Sequence, residues 1–453
     1  MAMSWRRRIA SGGLLLALLL IAGCGGDNTQ TTDQQLHEMM STAGIHVMDP
    51  GPQVAPAVVE LGRALMFDKE LSGNRDVACA TCHHPLLHTA DALSVSIGTG
   101  GQGLGPTRRR GSGRSFIPRN APDVFNRRVP AWRTMFWDLR VSGTAQTGFI
   151  TPAGDRLPPG LEDVLAAQAM FPVTSQDEMR GAPGDHDVFG HPNELAAIDS
   201  QDFPAIWNAL MARLLAIPEY VTLFNAAFPD IPTESLGFQD AANAIAAFEG
   251  MAWTFLDSPW DRYVAGDETA LSAEAKRGAM LFFDDAGCAR CHAGNLFTDQ
   301  LAHDIGVPQV GPGKGAEAPQ DFGYGRVTGN AGDRFAFRTP SLRNVTLTGP
   351  WMHDGAFATL EAAVRHVLDP VGSLRTYDVG QLAPELRSTF QGDAATITAI
   401  LANLDPTVAT PRHLSERDVS ALLSFLEALT DPAASDLRAD IPDAVPSGLP
   451  VFD

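Results

Sequence analysis

Beyond its first two dozen residues the chain has no run of about 18 apolar residues, so nothing after the leader reads as a membrane-spanning helix. Cysteine is scarce, five in 453 residues, and the spacing described below leaves none for a structural disulfide. Positive charge is short as well: 33 Lys+Arg against 53 Asp+Glu give a formal net charge of -20. Loss of Arg6, Arg7 and Arg8 with a leader makes the remainder more acidic still. Such a surface repels a phosphate backbone, which excludes nucleic acid and suits a basic or neutral protein partner; acidity for solubility alone accounts for the count equally well. Strand-like runs are few and short, so the expected fold class is mainly α with long irregular loops.

What is present begins with a leader. Arg6-Arg7-Arg8, the apolar stretch Leu14 to Ile21 and the small residues Ala22-Gly23 form an export signal over residues 1–23. Ile21-Ala-Gly-Cys24 resembles a bacterial lipoprotein processing box, so Cys24 is expected to become a lipidated first residue, tethering an exported protein to the membrane at its periplasmic face. Plain secretion is the alternative. Residues 24–42 are polar and read as a linker.

Val58, Val59, Leu61, Leu65 and Met66 have helical spacing and open a first unit, residues 43–257. Gly98 to Gly113 reads as a loop whose arginine cluster, Arg108 to Arg110 with Arg114 just beyond, is expected to be solvated, with partner or ligand contacts as the alternative. An alanine-rich helix over Asp240 to Phe255 gives way to the stretch Asp257 to Asp267, where the linker is placed. A second unit, residues 268–432, opens with another helix, from Leu271 to Phe283. It closes with an amphipathic one, capped by Ser415 and Asp418 and carrying Val419, Leu422, Leu423, Leu426 and Leu429. Residues 433–453 are left as a tail.

The four remaining cysteines form Cys79-Ala-Thr-Cys82-His83 and Cys288-Ala-Arg-Cys291-His292. In CxxCH both thiols add to the vinyl groups of one haem, and the histidine reaches its iron. A four-cysteine zinc site is the rival reading, disfavoured because each pair lies in its own unit and is followed at once by histidine. The expected cofactors are two covalently bound haem c, with His83 and His292 as proximal ligands.

At this point the sequence resembles the bacterial dihaem cytochrome c peroxidase family, which includes the enzymes that mature methylamine dehydrogenase. Leu61-Gly-Arg-Ala-Leu-Met-Phe-Asp, Leu71-Ser-Gly-Asn, Arg119-Asn-Ala-Pro, Phe136-Trp-Asp-Leu-Arg, Phe337-Arg-Thr-Pro-Ser-Leu-Arg-Asn-Val and Pro350-Trp-Met-His-Asp-Gly carry the likeness in family order. The resemblance implies two cytochrome c-like domains, a peroxidatic haem in the first and an electron-entry haem in the second. It assigns Trp137 to the path between haems and Gln168 and Glu178 to peroxide cleavage. It also implies a calcium held by the side-chain oxygen of Asn120 and the carbonyls of Thr348 and Pro350. Read without it, Trp137 is core, Glu178 surface and Asn120 a turn residue.

The sequence also departs from the family. Residues 141–160 are an insertion, and Thr99 stands after Ser96-Ile-Gly where many relatives place a histidine that blocks the first haem. His84 and His88 are expected to be pocket or surface residues. At the second haem Val367 occupies the position of a ligating methionine or tyrosine, and His366, Met352, Tyr377 or an open site remain as alternatives. His353 matches a family histidine at that haem's edge. The leading expectation is reduction of hydrogen peroxide with electrons from a small redox protein, a cytochrome c or cupredoxin, by a chain able to form a homodimer. A maturation-type oxidase acting on a partner protein and a non-catalytic electron-transfer cytochrome are the competing readings.

Overall fold

The computed structural model describes residues 30–452; the leader and Cys24, and with them the lipoprotein reading, lie outside the described residues. Within them the chain is helical with long loops. The first part contains α1 (Thr32–Thr42), α2 (Pro56–Phe67), α3 (Cys79–Cys82), α4 (Val164–Ala169), α5 (Phe203–Leu215), α6 (Pro218–Ala227) and α7 (Phe238–Ala252). There follow α8 (Pro259–Val264), α9 (Ala273–Phe283), α10 (Gly325–Thr328), α11 (Leu360–Leu368), α12 (Pro370–Arg375), α13 (Ala394–Leu401) and α14 (Glu416–Ala428). Strands are short: β1 (Thr134–Met135), β2 (Val141–Thr144) and β3 (Gly148–Ile150) make one antiparallel sheet in that order, and β4 (Ala302–His303) pairs with β5 (Phe337–Arg338). Residues 141–150 of the 141–160 insertion therefore form a hairpin, anchored by the fully buried Val141.

One helix crossing is used twice. On α2, Gly62 lies so close to α7 that an added Cβ would stand 1.8 Å from the Ala244 carbonyl oxygen and 2.9 Å from the Phe248 Cβ. On α9, Gly278 meets α14 in the same way, 1.9 Å from the Ala421 oxygen and 2.9 Å from the Phe425 Cβ. Any larger residue would push the helices apart. Leu61, Leu65, Phe67, Ile245, Phe248 and Trp253 pack around the first crossing. Trp260, Phe282, Phe297, Leu422 and Phe425 pack around the second, with Phe425 edge-on to Trp260 at 5.1 Å.

The structure corrects four boundary and surface readings. Of the supposed linker 24–42, Thr32–Thr42 is a helix: Thr31 and Gln34 form a capping box, and Leu36 and Met40, four residues apart, bury against the second core. Asp33 fixes it there, accepting from the Tyr263 hydroxyl at 2.8 Å and pairing with Lys276 at 2.6 Å. The stretch placed as the linker at 257–267 is α8, capped by Ser258, and its Trp260 and Tyr263 belong to the second core. The 433–453 tail is a strap over the first core: Ala434, Leu437 and Val445 are buried there, and the Ser447 hydroxyl donates to Asp68 at 2.6 Å. Arg108 is buried rather than solvated, donating to the carbonyls of Ile97, Gly98 and Gly103.

The two cores meet along a polar seam. Arg119 pairs with Asp138 at 2.6 Å and with Asp321, from the far half of the chain, at 2.7 Å. Burial alone would raise the Asp138 carboxyl, but Arg119 and Arg140 outweigh it and hold it far below the usual range. For Asp321 burial is likewise outweighed by Arg119, and the carboxyl falls to about 2. Backbone bonds complete the seam, Arg338 N–H to the Trp137 carbonyl at 2.7 Å and Asn120 N–H to the His353 carbonyl at 2.8 Å.

Leu437→Ala should cost about 2–5 kcal/mol by emptying a buried site under the strap, measured by urea denaturation. A neutral effect would show that the strap does not contribute to the first core. Arg119→Met should cost roughly 3–5 kcal/mol at neutral pH by leaving buried carboxylates short of a cation. Because both folded-state carboxyls sit below their unfolded value of about 3.9, the stabilisation is complete above that pH and lost as pH falls. The gap between wild type and Arg119→Met should therefore narrow on acidification.

Candidate haem sites

Two cavities open beside the two crossings. Cys79, Cys82 and His83 line the first, and Cys288, Cys291 and His292 the second. In α3 the single helical turn puts Cys79 and Cys82 on one face. In the second motif a 3₁₀ turn over Cys288–Arg290, entered through Gly287 at φ 65°, does the same work. Since the pairs line different cavities, no four-thiolate site forms among the described residues.

Each motif histidine is oriented by its own backbone. His83 Nδ1 lies 3.1 Å from the Thr89 carbonyl and His292 Nδ1 lies 2.9 Å from that of Phe297. A carbonyl can only accept, so Nδ1 carries the proton and Nε2 keeps its lone pair for a metal. A largely apolar slot, two thiols on one turn and an imidazole with a free Nε2 are the donor set that a covalent haem requires, and both cavities supply it.

In the first cavity the structure brings together Gln168, Glu178 and Trp137 with the Cys79–His83 motif. Gln168 stands in the last turn of α4, whose start is capped by Asp163. Glu178 sits in a π-turn, Gln176–Arg180, pinned from two sides: Gly73 N–H donates to the Met179 carbonyl at 2.8 Å and Thr99 N–H to the Glu178 carbonyl at 3.0 Å. At Gly98 a Cβ would fall 2.0 Å from the Asp177 oxygen, so only glycine lets the loop approach so closely. Thr99 commits its hydroxyl to Asp76 at 2.9 Å and accepts from Asn74 at 2.9 Å. His84 is buried and caps a short turn, and His88 meets the strap at the Ala434 carbonyl; neither lines the cavity.

Trp137 lines both cavities. Its indole N–H donates to the Asn120 carbonyl at 3.0 Å, and its ring meets His353 edge-on at 6.5 Å. His353 in turn stacks on Phe337 at 3.4 Å, and burial depresses its pKa to about 3. Asn120 turns its side-chain nitrogen to the Leu93 carbonyl at 2.7 Å, leaving the oxygen for another partner. Thr348 and Pro350 follow on the far half, next to Trp351 and Met352.

The second cavity separates the alternatives for its remaining ligand. Met352 and Val367 line it. His366 does not: it is fully buried with Nδ1 3.0 Å from the Ser373 hydroxyl and Nε2 2.9 Å from the Ile305 carbonyl. Tyr377 also stays outside, its hydroxyl donating to the Ala356 carbonyl.

Three residues in these cavities were not singled out by the sequence reading. Glu249, on α7, is buried in the first cavity, where desolvation, helped by Asp163 and opposed by Arg127, raises its pKa to about 8. Lys314 reaches the same cavity from the far half of the chain. His303, in the second, is held by Asp299 at 2.8 Å and Asp405 at 2.6 Å, which with Cys291 raise its pKa to about 11. The four-residue spacing of Asp299 and His303 was the one signal available in the sequence.

The sequence and fold around these cavities have counterparts in known proteins. The sequence profile described as Di-haem cytochrome c peroxidase matches residues 56–269. Methylamine utilization protein MauG of Methylorubrum extorquens is 31% identical over 427 residues, 92% of each chain. Cytochrome c551 peroxidase of Pseudomonas aeruginosa is 31% identical over 314 residues, 69% of this chain and 72% of that one. Among solved structures, a MauG-like protein associated with microbial copper homeostasis superposes with a TM-score of 0.59 at 25% identity, over 86% of this chain and 93% of that chain. With similarity spanning nearly the whole sequence, the chain belongs to the di-haem cytochrome c peroxidase family.

Proposed function

We propose that the chain reduces hydrogen peroxide to water with electrons from a small redox protein, a cytochrome c or a cupredoxin. Two cytochrome c-like units would each hold one covalent haem c, the first in residues 43–257 and the second reaching to 432. The observation that carries the reading is that Glu178 and Gln168 share a cavity with Cys79, Cys82 and His83, while Thr99 turns its hydroxyl onto Asp76. A bound haem supplies the oxidation–reduction chemistry. Glu178 takes a proton from one peroxide oxygen and returns it to the other, which leaves as water. Gln168 holds the peroxide by hydrogen bonding. Trp137 bridges the cavities with an aromatic ring, shortening the gap that electrons cross from the second site. For the second haem Met352 is the sulfur donor of choice, since His366 and Tyr377 are engaged elsewhere.

The same reading includes an exported, lipid-anchored protein on the periplasmic face, a homodimeric assembly, and a calcium between the halves held by the free oxygen of Asn120 with the carbonyls of Thr348 and Pro350. A second reading, peroxide-dependent oxidation of a specific partner protein, rests on the likeness to the methylamine utilization protein of Methylorubrum extorquens, 31% identical over 92% of each chain. Steady-state turnover of reduced cytochrome or cupredoxin separates the two.

Glu178→Gln should lower peroxide turnover by about 10²- to 10⁴-fold with both haems still attached, measured with reduced donor; unchanged turnover would remove Glu178 from the chemistry. Met352→Leu should abolish the sulfur-to-iron charge-transfer absorption of the oxidised second haem. Its persistence in the variant would exclude Met352 as the ligand.

A further inference from the structure

The chain has three lysines, Lys69, Lys276 and Lys314. Lys276 closes an ion pair with Asp33. Lys314 has no such partner among the described residues, and it lines the first cavity together with Glu178, Gln168 and Arg140. Its position is built, not incidental. The loop that carries it closes on itself through Lys314 N–H to the Gln320 carbonyl at 3.0 Å, and Arg326 donates to the Lys314 carbonyl at 3.1 Å. At Gly313, with φ 69°, an added Cβ would lie 2.3 Å from the Pro319 backbone, so the turn admits glycine alone. One residue past Gln320, Asp321 is clamped by Arg119, which ties this loop to the wall of the first cavity. An amine from the far half of the chain is thereby delivered into the site beside the acid–base carboxylate.

Peroxide is a neutral molecule, and its first chemical step in this site is loss of a proton. When the O–H bond breaks, the proton passes to the Glu178 carboxylate and the electron pair stays on oxygen, so no oxidant or reductant is consumed. Negative charge then appears in a slot whose walls are mainly apolar, where one nearby cation counts for far more than in water. We propose that Lys314 is a further catalytic residue of the peroxide site, its ammonium holding the anion that forms as peroxide gives its proton to Glu178. This rests on the reading of the first cavity as the peroxide site.

The charged groups that face Lys314 set when it can act. Burial, with Arg119 and Arg140, lowers its pKa to about 7, against the opposing pull of Asp138 and Glu178. The amine is thus cationic below that pH and loses its charge above it. Anion affinity should be greatest on the acid side.

The test uses the oxidised holoenzyme, titrated spectroscopically with fluoride, which enters as an anion, and with cyanide, which enters as its conjugate acid and must lose a proton as peroxide does. Below pH 7, Lys314→Met should weaken fluoride and cyanide binding roughly tenfold or more, with haem content unchanged. The difference should close as pH rises through about 7, and Lys314→Arg should restore acid-side affinity and extend it to higher pH. Equal anion affinity in wild type and Lys314→Met overturns the proposal. So does a shift in the first haem's reduction potential without loss of anion affinity, which would mean that Lys314 pairs with a haem carboxylate instead. Glu178→Gln is the control: if it leaves both the cyanide association rate and peroxide turnover unchanged, the reading of the cavity itself has failed, independently of Lys314.

Discussion

Everything in this molecule is organised by the close passage of two helices over a single glycine. Gly62 against Ala244 and Phe248, and Gly278 against Ala421 and Phe425, bring backbones to contact distance. The residues one step further along the partner helix then face the cavities: Ile245 and Glu249 in the first, Leu422 and Leu426 in the second. Since the contact pair and the cavity pair are each four residues apart, one helical face binds the neighbouring helix and the adjacent face lines the slot. Widening the crossing would therefore move the cavity wall and the CxxCH turn that follows it. The register is the same in both halves, which makes the one chemical difference informative. Where the second cavity has Leu426, the first has a buried carboxyl, Glu249, which desolvation keeps largely protonated near neutrality. The first cavity thus gains a polar wall without gaining a full charge.

The two slots are joined by groups that belong to neither helix pair. Trp137 lines both, and its carbonyl accepts from Arg338 across the seam. Arg119 joins Asp138 beside it to Asp321 beyond. A buried cation between two carboxylates contributes little net stability against an apolar replacement, yet removing one partner is costly. That asymmetry suits a seam whose task is to fix the spacing of two aromatic-lined sites rather than to hold the halves together by strength.

How much of this could be read from the sequence depended on the range of the interactions. The CxxCH motifs and the helices before them, the capping box at Ser415 and the amphipathic face of α14 are local patterns, and they lie where the spacing predicted. The scarcity of strand was equally legible. What was misplaced was polar in composition and apolar only at a few spaced positions: Leu36 and Met40 of α1, Trp260 and Tyr263 of α8, Leu437 and Val445 of the strap. Each segment folds because a distant core accepts those side chains, information a local window does not contain. Lys314 and Glu249 escaped for the same reason. Nothing near them in the sequence marks them, and only the tertiary fold brings them to Glu178 and Cys79.

The position after Ser96-Ile-Gly shows how a departure at one residue can propagate without disturbing the frame. A site that is opened by withdrawing a ligand needs a side chain able to bind the iron, and a loop free to swing. Thr99 offers neither. Its hydroxyl is spent on Asp76, its amide on the Glu178 carbonyl, and Gly98 packs directly on the backbone of Asp177. The contacts that hold this loop are the same contacts that hold Glu178 in its π-turn, so moving the loop would dismantle the carboxylate's support. In this chain the loop serves as a buttress of the turn that carries Glu178. The placing of Glu178 on the cavity wall is accordingly coupled to the loop at Thr99, and neither can shift without the other.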